Sequence, residues 1–330
     1  MKYEGLCVII YVSYDICQIF IEKKGRHNVM KKTGQRSSIL FLVIGIVFIL
    51  ISLGLSVFLL KKNHEYDVQI DIVEDVRDQV VIPPDDVLVN ADSEFAVVDE
   101  SGNYVELTYI DANLLRRVDF DALSEINPDA TRWLYIPDTP IDSYVMQEQT
   151  VGKYYYLWRD IHKRSNSSGS LLTPKLPLDG DDPHLIIFGH RIFGYDAVGF
   201  GSLRVNFADA AAASAYPYVY VYYPDRAERW AVWAACDIYE YDKVYEYPYV
   251  LGSSQYEELL CHISEESRFE NFETPDAWTN TLFLSTCNGR RGGSNVRFLV
   301  GCVPDMTYYY ETATLESFEA VHVGGDQVGD

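Results

Sequence analysis

Residues 281–287 read TLFLSTC and residues 295–303 read NVRFLVGCV. Both are short, mainly apolar runs, and the connection between them contains Gly289, Gly292 and Gly293, so they read as two successive strands joined through a glycine-rich turn. In an antiparallel hairpin the end of one strand and the start of the next share an edge of the sheet. That pairing places Cys287 beside Arg297. Upstream, residues 184–190 read HLIIFGH, a buried-looking strand broken by Gly189 and closed by His190. Further strands are expected at 133–136, 141–146, 170–172, 218–222 and 229–235. Pro137-Asp138, Asp179-Gly180 and Pro224-Asp225 supply turn chemistry between them. Eight short strands predict a mostly β domain closed into an eight-stranded barrel, because closure removes exposed sheet edges. Two helices interrupt this pattern. A short one is predicted at 119–126, ending before Pro128, and a second at 254–264, inserted before the penultimate strand, with Tyr256, Leu259, Leu260 and Ile263 at helical spacing.

The chain has 330 residues, 48% hydrophobic and 14% aromatic, which excludes intrinsic disorder. A formal charge of −22 argues against nucleic acid as a partner, since phosphate backbones are held by Lys and Arg. No P-loop, dinucleotide glycine motif, CxxC or HExxH occurs, so neither a cofactor nor a metal is expected.

The charge is unevenly distributed. Residues 1–62 hold nine Lys or Arg against three Asp or Glu, whereas residues 63–330 hold 18 against 46. At the boundary, residues 39–60 read ILFLVIGIVFILISLGLSVFLL without a charge, long enough as a helix to cross a hydrocarbon core of ~30 Å. Lys23, Lys24, Arg26, Lys31, Lys32 and Arg36 precede this run; Lys61, Lys62 and Arg77 follow it. The positive-inside rule then predicts a cytoplasmic N-terminal segment (1–38), a single transmembrane helix (39–60) and an extracytoplasmic remainder. An apolar run at 5–21, interrupted by Asp15, reads either as an interfacial piece or as sequence ahead of a true start at Met30. Residues 61–118 read as an acidic stalk and 305–330 as an acidic tail, leaving 119–304 as the main domain. Of six cysteines, Cys236, Cys261, Cys287 and Cys302 fall in the exported part, at spacings that suggest neither a disulfide framework nor a zinc site.

Cys287, His190 and Arg297 suit one chemistry. Nearby positive charge raises the thiolate fraction of a cysteine, a histidine serves as general base and then acid, and an arginine steadies developing oxyanion charge. Together they suit acyl transfer through a thioester. Each also has a plainer reading, as a small buried thiol, a structural imidazole and an edge-strand charge. Arg290 and Arg291 sit closer to the cysteine in sequence but on the glycine-rich turn, where they are free to face solvent. Asp196 reads as a loop residue rather than a partner of His190, and the Tyr clusters at 154–156 and 308–310 read as packing or surface residues.

Residues 284–287, LSTC, followed by Arg297, resemble the TLxTC…R signature of sortases, the cysteine transpeptidases of Gram-positive cell surfaces, with Phe283 replacing the first Thr. Residues 188–190 (FGH) resemble the family's catalytic-histidine motif, 200–203 (FGSL) the segment after it, and 126–147 the opening of the class B domain. The resemblance implies a sortase-type barrel over 119–304, with Cys287 as nucleophile, His190 as acid/base and Arg297 as substrate-positioning and oxyanion group. It also implies Ser285 and Asn288 flanking the site, with the Asn288 amide close to the oxyanion. The implied reaction is cell-wall or pilus anchoring. A secreted protein is cut after Thr in a C-terminal NPxTx-like sorting motif and joined to an amine of a peptidoglycan precursor or a pilin. A surface cysteine peptidase using water, or a binding module that keeps only the barrel, are the alternatives.

Overall fold

The computed structural model describes residues 34–83, 96–98, 104–106, 111–175, 183–192, 194–246, 248–269, 273–287, 295–311 and 314–317. The chain divides into two compact units, Met1–Lys62 and Asn63–Asp330.

In the first unit the described residues belong to helix α1 (Gly34–Val80), whose apolar part has a mean hydropathy of 2.9, none of it buried. By length and composition, this helix is able to cross a membrane. In the second unit α1 changes character. Gln69, Val76 and Val80 are buried, with Ile72 and Val73 packed beside them, so one face recurs every three or four residues as an amphipathic helix requires.

Among the described residues of the second unit, eight strands form its barrel, and short strands at 96–98, 104–106 and 314–317 extend the sheet beyond it. The barrel strands are β1 (Ala130–Tyr135), β2 (Asp142–Gln147), β3 (Leu171–Thr173), β4 (His184–Phe188), β5 (Tyr218–Tyr222), β6 (Arg226–Tyr239), β7 (Thr281–Cys287) and β8 (Val296–Tyr309). Their order in the sheet is β6-β5-β1-β2-β3-β4-β7-β8, and pairing of β8 with β6 closes it into a barrel. Most neighbours are antiparallel, but β2–β3 and β4–β7 are parallel. The short helix α2 (Phe120–Ile126) precedes β1, and α3 (Ser254–Glu266) lies in the insert between β6 and β7. Each is capped as helices prefer: the Asp119 carboxylate accepts from the Ala122 amide, and the Ser253 hydroxyl from the Tyr256 amide.

Alternation along the strands assigns the faces. Leu282, Leu284, Phe298, Val300 and Cys302 fill the barrel interior with Val145, Ile187 and Val221. The residues between them, Phe283 and Leu299, point outward beneath α3, where Tyr256, Leu259, Leu260 and Ile263 cover them. Burial of each such side chain is worth about 1.5–3 kcal/mol. On the opposite wall Trp133, Tyr144 and Met146 are covered by α1 and α2.

All eight expected strands and both expected helices of the domain are present. Two strands run further than the sequence suggested: β6 begins at Arg226 and reaches Tyr239, and β8 continues past Val303 to Tyr309. The extensions pair with each other, Arg226 to Glu228 lying opposite Tyr309 to Thr307, and the first residue of the expected strand adds an ion pair. Arg229 of β6 donates to Asp305 of β8, and to Asp111 at 2.9 Å.

Candidate active site

The parallel pair β4–β7 sets the geometry. Phe188 is opposite Ser285, and the Gly189 amide donates to the Ser285 carbonyl at 3.1 Å. Two residues beyond that pair, the two chains reach His190 and Cys287. On the other side of β7, Cys287 is the register partner of Arg297 in antiparallel β8. Adjacent strands lie ~4.8 Å apart, so Cys287 sits on the middle strand of three with His190 and Arg297 flanking it. The sequence placed Cys287 next to Arg297; the parallel β4–β7 pairing brings His190 to the same edge. Asn288, Arg290 and Arg291 lie outside the described residues.

His190 is held by its surroundings. Its Nε2 lies 2.9 Å from the carbonyl of Leu157, in the 3-10 turn Tyr155–Trp158. A carbonyl only accepts, so Nε2 carries a hydrogen and Nδ1 is the nitrogen that can exchange a proton. The Trp158 ring packs on the imidazole at a centroid distance of 4.6 Å. Burial pushes the imidazole below its usual pKa, while the Leu157 carbonyl pulls the other way. Gly189 is required here by space, because a Cβ would come within 2.5 Å of Leu171 and 2.7 Å of Phe200 side-chain atoms. Asp196 is an exposed turn residue.

Arg297 is fixed from two sides. Its Nη2 donates to a Glu240 carboxylate oxygen at 2.6 Å and its Nη1 to the Val296 carbonyl at 3.3 Å. Glu240 follows the end of β6, and its amide bonds the Asn295 carbonyl at 2.8 Å, so rigid backbone delivers the carboxylate.

Ser285 is buried, and its hydroxyl lies 2.7 Å from the Tyr245 hydroxyl. Tyr245 stacks on Phe188 at 5.8 Å, and Phe188 meets Tyr154 edge-on at 5.8 Å. An aromatic row thus runs along this edge. Burial raises the Tyr245 phenol pKa, and the Arg297 charge opposes that rise.

Solved structures share this architecture. Staphylococcus aureus sortase B at 2.0 Å is 18% identical, with 57% of this chain and 87% of that one aligned at a TM-score of 0.50. The Staphylococcus aureus sortase B–substrate complex aligns over 56% and 84%, at 18% identity and a TM-score of 0.50. Sortase B complexed with triglycine aligns over 56% and 85%, also at 18% identity and 0.50.

The chain has the sortase B fold.

No protein-family model matches the sequence, and no curated protein does. At such low identity the likeness to sortase B concerns the fold. Residues outside the sequence reading also line this sortase B-type edge: Leu157 and Trp158 against the imidazole, Glu240 on the arginine, Tyr245 on Ser285. A backbone carbonyl has no sequence signature, and Glu240 is one acid among many. Only the tyrosine-rich stretch around Trp158 offered a signal. The remaining described thiols are free. Cys236 and Cys302 are buried, which pushes both far above the usual thiol range, while Cys261 is exposed on α3. Among the described residues, no group of three or more His, Cys, Asp or Glu is placed to hold a metal ion.

Proposed function

We propose that this protein is a membrane-anchored, class B-like sortase, a cysteine transpeptidase with Cys287 as nucleophile, His190 as acid/base and Arg297 as oxyanion group. The observation that carries the reading is the convergence of these positions on adjacent strand ends of β4, β7 and β8. His190 Nδ1 takes the thiol proton as sulfur attacks the carbonyl carbon of a substrate Thr. The Arg297 guanidinium and the Asn288 amide stabilise the tetrahedral oxyanion. As the C–N bond breaks, the imidazolium returns its proton to the leaving amine, and a thioester remains on Cys287. An incoming amine then attacks that thioester, gives its proton to His190 and displaces the thiolate.

The substrate is a secreted protein with an NPxTx-like C-terminal sorting motif, and the acceptor is an amine of a peptidoglycan precursor or a pilin. The substrate and triglycine complexes of sortase B support a peptide donor and an amine acceptor. The aromatic row Tyr154–Phe188–Tyr245 and the Tyr245–Ser285 pair offer a wall for the motif. The apolar part of α1 serves as a single-pass anchor, with residues 1–38 cytoplasmic and the catalytic domain (119–304) outside. The test incubates the full chain, in detergent micelles, with a motif peptide and triglycine, and the products are weighed. Cleavage after Thr with transfer to triglycine supports the sortase. Cleavage with water as sole acceptor identifies a peptidase, and no product from the parent protein a binding module.

A further inference from the structure

The acidic segment after the apolar run makes contacts that its sequence gave no reason to expect. Within the second unit, three residues of α1 touch two loops, and both loops lead to His190. The Glu65 carboxylate accepts from the Ser167 hydroxyl at 3.0 Å, and Gln69 bonds both the Asn166 amide group and the Tyr144 hydroxyl. The Tyr66 ring meets the Tyr195 ring at a centroid distance of 4.7 Å.

The first loop is the continuation of the turn that holds the imidazole. The Asn166 amide bonds the Trp158 carbonyl at 2.9 Å and the Ser170 amide the Tyr156 carbonyl at 2.9 Å, so residues 166–170 fold back on residues 156–158. Gly169 packs so closely there, at φ +60, that a Cβ would lie 2.1 Å from the Leu157 oxygen. That oxygen is the acceptor for His190 Nε2. The second loop leaves directly from His190 and returns to it. The Phe200 amide bonds the His190 carbonyl at 2.8 Å, a bridge joins Arg191 and Gly199, and Tyr195 lies in the turn between. One loop therefore fixes the ring and the other fixes the backbone.

We propose that residues 65–69 of α1 are a positioning element for His190, setting the imidazole's orientation through the loops at 159–170 and 194–199. The proposal rests on reading His190 as the acid/base. The physical case is one of leverage. Gln69 is buried although polar, and its amide satisfies two partners on the barrel side. Removing it takes one partner from each and frees the loop that carries the Leu157 carbonyl. A helix that only needed anchoring to the barrel has Ile72, Val73, Val76 and Val80 for that purpose. Of the polar and aromatic contacts one turn earlier, all but the Gln69–Tyr144 bond go to the histidine's loops.

The test compares Tyr66→Ala/Gln69→Ala with Glu74→Ala, an exposed position on the same helix, in the full chain in detergent. Turnover of a motif peptide is followed against pH, and the His190 imidazole is titrated by NMR. The double variant is expected to lose about 10- to 100-fold in kcat, as displaced catalytic groups do, with KM within a few-fold. Its imidazole should titrate closer to an ordinary histidine, while Glu74→Ala behaves as the parent. Parental kcat and a parental titration in the double variant would overturn the proposal, even if its melting temperature falls. If the double variant does not fold, Tyr66→Leu and Gln69→Leu are read singly under the same two outcomes. The titration needs no turnover, so it distinguishes failure of this inference from failure of the sortase reading.

Discussion

The Arg297 guanidinium donates to Glu240 at 2.6 Å across the β6–β8 end of the barrel, so the arginine opposite Cys287 is oriented by a carboxylate just past the end of the neighbouring strand. Both partners keep contact with solvent, and such pairs contribute about 0–1 kcal/mol to stability. The pair's value therefore lies in direction rather than in stability.

Arg297→Lys keeps the charge and loses the planar fork. Turnover of a motif peptide is expected to fall roughly 10²- to 10³-fold, as when one oxyanion donor is removed, with the melting temperature close to the parent's. Arg290→Lys and Arg291→Lys should stay within a few-fold. Measuring kcat/KM for the three variants checks this, and near-parental activity in Arg297→Lys would reject its assigned role.

Gly189→Ala adds a methyl where Leu171 and Phe200 leave no room. Overpacking of this kind costs about 1–3 kcal/mol, and the strain falls on the residue preceding His190. Both the melting temperature and kcat should drop, which thermal unfolding and peptide turnover read separately. A variant with unchanged turnover would show that the imidazole is not held by this close contact.

Because burial lowers the His190 pKa from the ordinary histidine value, the imidazole is neutral at pH 7 and ready to accept the thiol proton. Acting as a base, it loses activity as pH falls through its own pKa. The acid limb of kcat/KM is therefore expected below pH ~6.5, the ordinary histidine value. A limb at or above that value would contradict the buried, Leu157-bonded imidazole.

His184 sits between the Tyr249 and Phe283 rings, and burial lowers its pKa to about 3. The unfolded chain takes up a proton near pH ~6.5 while the folded one does not, so stability falls as pH drops from there toward 3. The slope is roughly 1 kcal/mol per pH unit for one group. Denaturant midpoints for the parent and His184→Gln at pH 7 and pH 5 test this: the parent should lose more between the two.

Much of the barrel was legible because its strands are apolar runs between turn residues, and the hairpin reading of β7 and β8 put Cys287 opposite Arg297. The strand ends were not legible. Arg226, Glu228 and Asp305 look like loop residues by composition, and only the pairing of β6 with β8 makes them strand residues. The docked face of α1 was hidden for a related reason: Ile72, Val73, Val76 and Val80 are diluted by exposed acids such as Asp71, Glu74 and Asp75. His190 could be singled out by its strand-end position, yet its Leu157 clamp could not, since any residue supplies a carbonyl.

The parallel β4–β7 pairing also orders events in time. Parallel neighbours need a crossover, and here the crossover is β5, β6 and the whole α3 insert. His190 and Cys287 are thus brought together only after that long loop closes, and Arg297 only when β8 follows. Non-local pairings of this kind form slowly. With the roles proposed above for these three residues, a chain that has not yet added β8 holds its cysteine as an ordinary thiol, and the chemistry waits for that strand.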